Sequence, residues 1–278
     1  METALTVAIV IPVFNASAAL RACLESLINT LHDDAAAVAT VILIDDGSTD
    51  DAVSDILAQQ PETWVHVRNQ RNLGFVATAN LGMSLAGRAD VVLLNSDTRV
   101  TAGWLEAMLA CAASDQRIAS VTPLTNHGEI ASIPAFCRPN PWPEDPEAWA
   151  RACRESGPPD YPDVPTGVGF CMYLRRACLD AIGVFDEVAY GRGYGEENDW
   201  CCRASAAGWR HVLCDSAFVA HRGGASFGPL GLAPGGQAMK TLLARYPDYL
   251  DRVGAFIAAD PMAERRRVIT ECYRQLVA

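Results

Sequence analysis

Short apolar runs recur along the first half of the chain, each ended abruptly by polar residues. Val7-Ala8-Ile9-Val10-Ile11 comes first, Val41-Ile42-Leu43-Ile44 second and Val91-Val92-Leu93-Leu94 later, with a shorter run over Trp64 to Val67. Runs of this length without alternation suit strands buried on both faces of a parallel sheet. Between them the apolar positions switch to helical spacing: Leu20, Leu24, Leu27, Ile28 and Leu31 fall on one face. Ser17 is the expected N-cap of that helix. Further helices are expected over 50–59, from a cap at Asn72 to about Ala86, and from Thr101 through Trp104, Leu105, Met108 and Leu109. This β-α-β-α-β-α-β alternation predicts an α/β fold with a doubly wound, mostly parallel sheet flanked by helices.

The pattern changes after Val121. Residues 123–165 are rich in proline and read as a long surface excursion with one short helix near Pro146 to Arg154. A strand over Gly167 to Leu174 and a helix over Arg176 to Ile182 follow. Gly228 to Gly236 reads as a Gly/Pro linker, and three amphipathic helices are expected around 237–245, 249–258 and 263–276. The expected organisation is one domain over 1–227, then a linker and helical tail over 228–278. Arg265-Arg266-Arg267 in the tail reads as a solvated helix face or as a contact for a membrane surface or acidic partner.

Half of the 278 residues are hydrophobic, enough for one large domain with a full core or for one domain plus an appendage. Net charge is −11, from 22 basic and 33 acidic residues, which argues against a nucleic-acid surface. Ten cysteines lie mostly in apolar runs, with no C-x-x-C pair. They read as buried free thiols of a reducing compartment. Leu5 to Phe14 lacks a basic flank and contains Pro12, so it reads as a core strand rather than a leader. No run approaches the roughly 20 apolar residues of a membrane span. The expectation is a soluble cytoplasmic protein with at most peripheral contact at the inner membrane face.

Candidate chemistry clusters where the runs end, because open α/β sheets bind ligands at the carboxyl ends of their strands. Pro12-Val13-Phe14-Asn15 and Asp45-Asp46-Gly47-Ser48 follow the first two runs; the second also reads as an ordinary turn with a cap. In Asn69-Gln70-Arg71-Asn72-Leu73-Gly74, the glycine permits close backbone approach to a ligand. Asn95-Ser96-Asp97 offers one carboxylate among neutral groups, suited to Mg²⁺ or Mn²⁺ shared with a diphosphate. Gly191-Arg192-Gly193-Tyr194-Gly195 precedes Glu196-Glu197-Asn198-Asp199. In a helix from Glu196, residues Glu196, Asp199 and Arg203 share a face while Glu197 projects elsewhere. One acid can then be held by Arg203 and another left free as a general base. His221 ends the Ala217 to Ala220 run and is a structural histidine or a metal ligand.

Taken together, these segments resemble family 2 glycosyltransferases of the GT-A fold. The resemblance rests on their order: Val-Ala-Ile-Val-Ile-Pro-Val-Phe-Asn, Ile-Asp-Asp-Gly-Ser-Thr-Asp and Asn-Leu-Gly-Phe-x-x-x-x-Asn-x-Gly come first. Leu-Leu-Asn-Ser-Asp-Thr, Gly-Val-Phe-Asp-Glu, Gly-Glu-Glu-Asn-Asp-Trp-Cys-x-Arg and Val-Ala-His follow. It implies inverting transfer of a sugar from a nucleotide-diphosphate sugar to a carbohydrate, lipid-linked or other hydroxyl acceptor, in polysaccharide or glycoconjugate assembly. By position, it implies base and ribose contacts from Asp46 and Asp45, and a nucleotide site lined by Pro12, Phe14, Asn15, Asn72, Gly74, Asn80, Asn95 and Ser96. It further implies Mn²⁺ or Mg²⁺ on Asp97 with His221, and a catalytic cluster of Glu196, Glu197 and Asp199 with Glu197 as base. Asn95 stands where many members carry the first acid of Asp-x-Asp, and Glu197 replaces the commoner Asp. Trp142 and Trp149 read equally as sugar-stacking platforms and packing anchors. A nucleotide-sugar-binding module without catalysis is the competing reading. A pyrophosphorylase or an NAD enzyme is disfavoured because no Gly-rich phosphate loop follows the first strand.

Overall fold

The computed structural model describes residues 6–34, 37–191, 193–223 and 236–278. The elements run β1 (Val7–Val13), α1 (Ser17–Asp34), β2 (Val38–Asp45), α2 (Asp51–Ala58), β3 (Val65–Arg68), α3 (Phe75–Leu85) and β4 (Asp90–Leu94). Next come β5 (Thr98–Arg99), α4 (Trp104–Ala113), β6 (Ile118–Leu124), α5 (Pro146–Glu155), β7 (Cys171–Leu174), α6 (Arg176–Ile182) and α7 (Glu187–Tyr190). The chain closes with α8 (Glu196–Ala206), β8 (Arg210–Phe218), β9 (Ala220–His221), α9 (Gly236–Arg245), α10 (Tyr249–Ala259) and α11 (Ala263–Val277). The seven-stranded sheet has the order β3-β2-β1-β4-β7-β6-β8. Every neighbouring pair in it is parallel except those made by β7, which is antiparallel to β4 and β6.

The apolar runs form strands because helices cover both of their faces. Ile9, Ile11 and Val13 point into one apolar layer with Leu20, Leu24 and Trp104. Ala8 and Val10 point into the other, with Val76, Ala79 and Met83 of α3. Gly82 lets α3 seat this closely: a Cβ there would stand 2.1 Å from Val10 Cγ1. A third cluster joins α5, α11 and the end of β8.

Several local expectations change. Gly74, not Asn72, caps α3, and Gly103 rather than Thr101 precedes α4. The Thr101 hydroxyl instead donates to the Phe218 carbonyl at 2.6 Å. Ser17 is the first residue of α1, and Asp50 caps α2 by accepting from Ala52 N–H. The strand expected from Gly167 begins only at Cys171. Strands β6 and β8 have no counterpart in the hydropathy pattern, because Ser120, Thr122, His211 and Asp215 interrupt their apolar character. Each of these polar groups is buried, and Ser120, His211 and Asp215 are bonded to partners remote in sequence.

The arginine triplet is not a solvated face. Arg265 is buried, with its Nε 2.6 Å from Asp215 Oδ2 and further donations to the Ser156 and Cys153 carbonyls. Arg266 is buried against Asp260, and only Arg267 is exposed, paired with Glu264. Trp149 is a packing anchor, stacked on Tyr273 of α11 at 3.9 Å between centroids and on Phe218 at 5.9 Å. The expected linker lies outside the described residues up to 235. Among the described residues no helix is long and apolar enough to cross a membrane. All ten cysteines are free, and eight of them are buried.

Buried His211 links β6, β8 and α8. Its Nε2–H donates to the Cys201 carbonyl at 3.0 Å and its Nδ1 accepts from the Ser120 hydroxyl at 2.7 Å, so the neutral ring is fully bonded. Burial pushes the imidazole down to about 4. A depressed histidine favours folding above its unfolded value, near 6.5, and that contribution is lost as pH falls toward 4. Wild type should therefore exceed His211→Asn in stability at pH 7. This advantage should shrink by about 2 kcal/mol at pH 5, read from paired urea melts.

Candidate active site

Parallel pairing of β1 with β2 and β4 brings the ends of these strands to one edge of the sheet. Asn15 stitches two of those ends together: its Oδ1 accepts from Thr49 N–H and Asp50 N–H, and its own N–H donates to Ser48 Oγ. Asp45 is also engaged internally, accepting from Ser48 N–H and paired with Arg68. Asp46 holds the next loop. Its Oδ1 accepts from Asn69 Nδ2 and Leu73 N–H, and its Oδ2 from Gly74 N–H, all at 2.8 Å. Gly47 makes this approach possible: it has φ +70°, and a Cβ would meet the Arg71 carbonyl carbon at 2.7 Å.

A cavity of about 660 Å³ opens over this edge. Pro12, Phe14, Asp46, Asn72 and Gly74 line one part of it, and Asn95, Ser96 and Asp97 the floor. Asn72 Oδ1 is buried there without a partner. Asn80, by contrast, does not line the cavity. Its amide exchanges two hydrogen bonds with the Phe185 backbone and so ties α3 to the loop before α7. Asn15 and Asp45 likewise do not line it, and their side chains brace the edge through backbone N–H groups.

Asp97 and His221 meet although 124 residues separate them, because β5 and β9 pair antiparallel with Thr98 opposite His221. His221 Nε2 lies 3.3 Å from Asp97 Oδ1. The other ring nitrogen, Nδ1, is 2.6 Å from the His127 carbonyl, which can only accept, so Nδ1 carries the proton. In the neutral ring Nε2 is then an acceptor facing a carboxylate oxygen, and a proton or a shared cation reconciles the two. A backbone bond at Nδ1 is also the arrangement that orients a metal-binding imidazole. Phe170 stacks on the His221 ring at 5.0 Å between centroids and holds its plane. Among the described residues no three His, Cys, Asp or Glu side chains gather as a ready metal cluster. Two protein donors fit a divalent ion that retains water and phosphate oxygens.

The opposite wall is the first turn of α8. Gly195, in the left-handed region, caps it, and the turn carries three acids with different surroundings. Asp199 is buried and held by Arg203 at 2.9 Å and Arg245 at 2.8 Å, and it does not line the cavity. Glu196 and Glu197 do line it, and the Oε2 of each is buried without a hydrogen-bond partner among the described residues. Burial, with the adjacent Glu197 charge, pushes Glu196 well above the usual carboxyl range. Burial pushes Glu197 up to about 7. Arg192 lies outside the described residues.

The structure also brings in residues that sequence reasoning passed over. His127 and Glu129, from the proline-rich excursion, line the cavity, and Glu129 adopts a left-handed φ of 48°. So do Met239 and Leu242 of α9 and Tyr249 of α10. The one local signal was the polar run Thr125-Asn126-His127-Gly128-Glu129 between Leu124 and Ile130. Trp142 lies under the Arg222 guanidinium, 5.1 Å from the ring centroid.

The family model described as Glycosyl transferase family 2 matches residues 8–183. The pre-mycofactocin glycosyltransferase of Mycobacterium tuberculosis is 28% identical over 225 residues, which is 77% of this chain and 42% of that one. The chain spans about half the length, or less, of the curated relatives it matches. A crystal structure of GalNAc-T7 with UDP, GalNAc and Mn²⁺ superposes over 98% of this chain and 55% of that one, with a TM-score of 0.65 at 16% identity. The mannosyltransferase PcManGT from Pyrobaculum calidifontis, in complex with GDP-Man and Mn²⁺, covers 99% of this chain and 86% of that one, with a TM-score of 0.56 at 14% identity. These likenesses show the GT-A fold.

Asp46→Ala should lower unfolding stability by about 3 kcal/mol, because three N–H groups lose one charged acceptor. Asp46→Asn, which keeps one carbonyl oxygen, should fall between; urea midpoints at pH 7 measure both.

Proposed function

The chain belongs to glycosyl transferase family 2, and from that premise we propose that it transfers a sugar from a nucleotide-diphosphate donor to an acceptor hydroxyl with inversion. The observation that carries this reading is the buried Glu196–Glu197 pair, unpartnered at both Oε2 atoms, in the same cavity as Asp97, His221 and the Asp46-held loop. A carboxyl raised toward neutrality on a residue that lines the cavity suits a general base. A purely binding module gains nothing from burying two such acids, which have no counter-ion among the described residues. Polysaccharide or glycoconjugate assembly is the setting this chemistry suits.

Asn72, Gly74 and the ends of β1 and β2 are the proposed nucleotide side, with Asp46 acting by fixing the loop rather than by offering a free oxygen. Asp97 and His221 are the residues that would hold Mn²⁺ or Mg²⁺, which when bound supplies positive charge to the diphosphate leaving group. Glu197 accepts the proton of the acceptor hydroxyl as the oxygen bonds to the anomeric carbon. The bond from that carbon to the phosphate oxygen breaks, and nucleoside diphosphate leaves from the opposite face. Glu196, neutral through its own burial, keeps a second negative charge away from the base.

Glu197→Gln should lower nucleoside diphosphate release at least about a hundredfold while still binding nucleotide. The wild-type rate should rise with pH through an acid limb near 7, where Glu197 loses its proton. Full activity in Glu197→Gln would sink the base assignment. In a thermal-shift panel of UDP, GDP and dTDP, at least one should stabilise wild type more with Mn²⁺ than without, and Asp97→Asn should remove that increment. No shift with any nucleotide contradicts the donor assignment.

A further inference from the structure

The first turn of α8 carries three acids, and the chain provides two cations for one of them. Arg203, on the same helix, bonds Asp199 through Nε at 2.9 Å and donates to the Ile182 and Val184 carbonyls. Arg245, the last residue of α9, reaches the same carboxylate from outside: its Nη1 is 2.8 Å from Asp199 Oδ1 and its Nη2 2.9 Å from Asp186 Oδ2. Asp186 caps α7, and the Arg245 guanidinium lies 5.8 Å from the ring centroid of Tyr190, the last residue of α7. The Tyr190 hydroxyl is in turn 3.3 Å from Asp199 Oδ1. One guanidinium thus ties together α7, α8 and α9.

The link acts at the cavity. Asp199 lies two residues after Glu197, and a Cβ on Gly195, the cap of α8, would sit 3.7 Å from Ala238 Cβ of α9. The same α9 brings Met239 and Leu242 to the cavity wall. Arg203 already gives Asp199 a counter-ion, so the second cation, from a helix distant in sequence, is more than neutralisation requires.

We propose that Arg245 is a positioning residue: through Asp199 and Asp186 it fixes the first turn of α8, and so the Glu197 carboxyl, making α9 part of the reaction centre. This rests on the reading of Glu197 as the base. Glu197 is faced by Glu196 on its own helix, Glu129 from the excursion, Tyr194 before the helix, Cys201 one turn on and Tyr249 from α10. Removing Arg245 leaves Asp199, two residues after Glu197, with one cation fewer, so the first turn of α8 is more negative and less constrained.

The test is nucleoside diphosphate release by the full chain carrying Arg245→Met or Arg245→Lys, using whichever sugar nucleotide the wild type turns over. Arg245→Met should lower kcat about tenfold or more, as expected for a misplaced base, with donor KM within about twofold. It should also move the acid limb up by about half a pH unit, from the lost positive charge. Arg245→Lys should return the limb toward wild type, with kcat between the two, because an ammonium cannot fork across both carboxylates. A folded Arg245→Met with wild-type kcat and limb overturns the proposal. So does a lower melting temperature with kcat per active site and limb unchanged. Glu197→Gln run alongside separates the two ideas: if it is inactive while Arg245→Met is normal, only the positioning role fails; if it is fully active, the base assignment itself falls.

Discussion

Burial of β1 and β4 on both faces is the constraint from which the site follows. Apart from partly buried Pro12, residues along β1 and β4 are shut away from solvent, with α1 and α4 on one side and α3 on the other. A strand in that position cannot hold a charged side chain without a partner. Polar residues are therefore displaced to the strand ends, and parallel pairing aligns those ends at one edge. Asp46 and Asp97 come to one cavity for this reason, without any attraction between them. Strand β7 runs antiparallel to β4, so it starts at this edge, with Cys171 beside Leu94, and leaves it; the first turn of α8 later returns an acid-rich stretch to the same cavity.

Much of this was legible in the sequence where physics acts locally. The apolar runs marked β1, β2 and β4, and the period of the C-terminal segment placed α9, α10 and α11 within a residue or so of where they lie. The rest depends on partners that no local pattern displays. Strands β6 and β8 contain Ser120, His211 and Asp215, which look like loop residues until their mates, each far away in the chain, are known. Arg265 reads as solvated by the same logic and is in fact buried against Asp215, holding α11 to β8 and the end of α5. Within the site, the family resemblance pointed to Asp97, Glu197 and His221, which line one cavity, but could not separate residues that line it from those that brace it. Asn15, Asp45 and Asn80 belong to the second kind: their side-chain bonds run into the protein. His127 and Glu129 went unseen because the excursion that carries them has no periodicity to read.

The first turn of α8 shows how neighbours, rather than residue type, divide labour among like charges. Glu196, Glu197 and Asp199 lie within four positions and are all acids. Asp199 has two arginines and a tyrosine hydroxyl around it, so its charge is satisfied and its oxygens are occupied. Among the described residues Glu196 and Glu197 have burial without a cation, which raises both, and both residues line the cavity. The Asp199 oxygens are taken up by these partners, whereas a carboxyl held up by desolvation suits the proposed role of base. The arginines therefore do more than secure a helix. By neutralising Asp199 they remove one of three mutually repelling charges, and this lets two acids remain buried side by side with only one of them required to ionise.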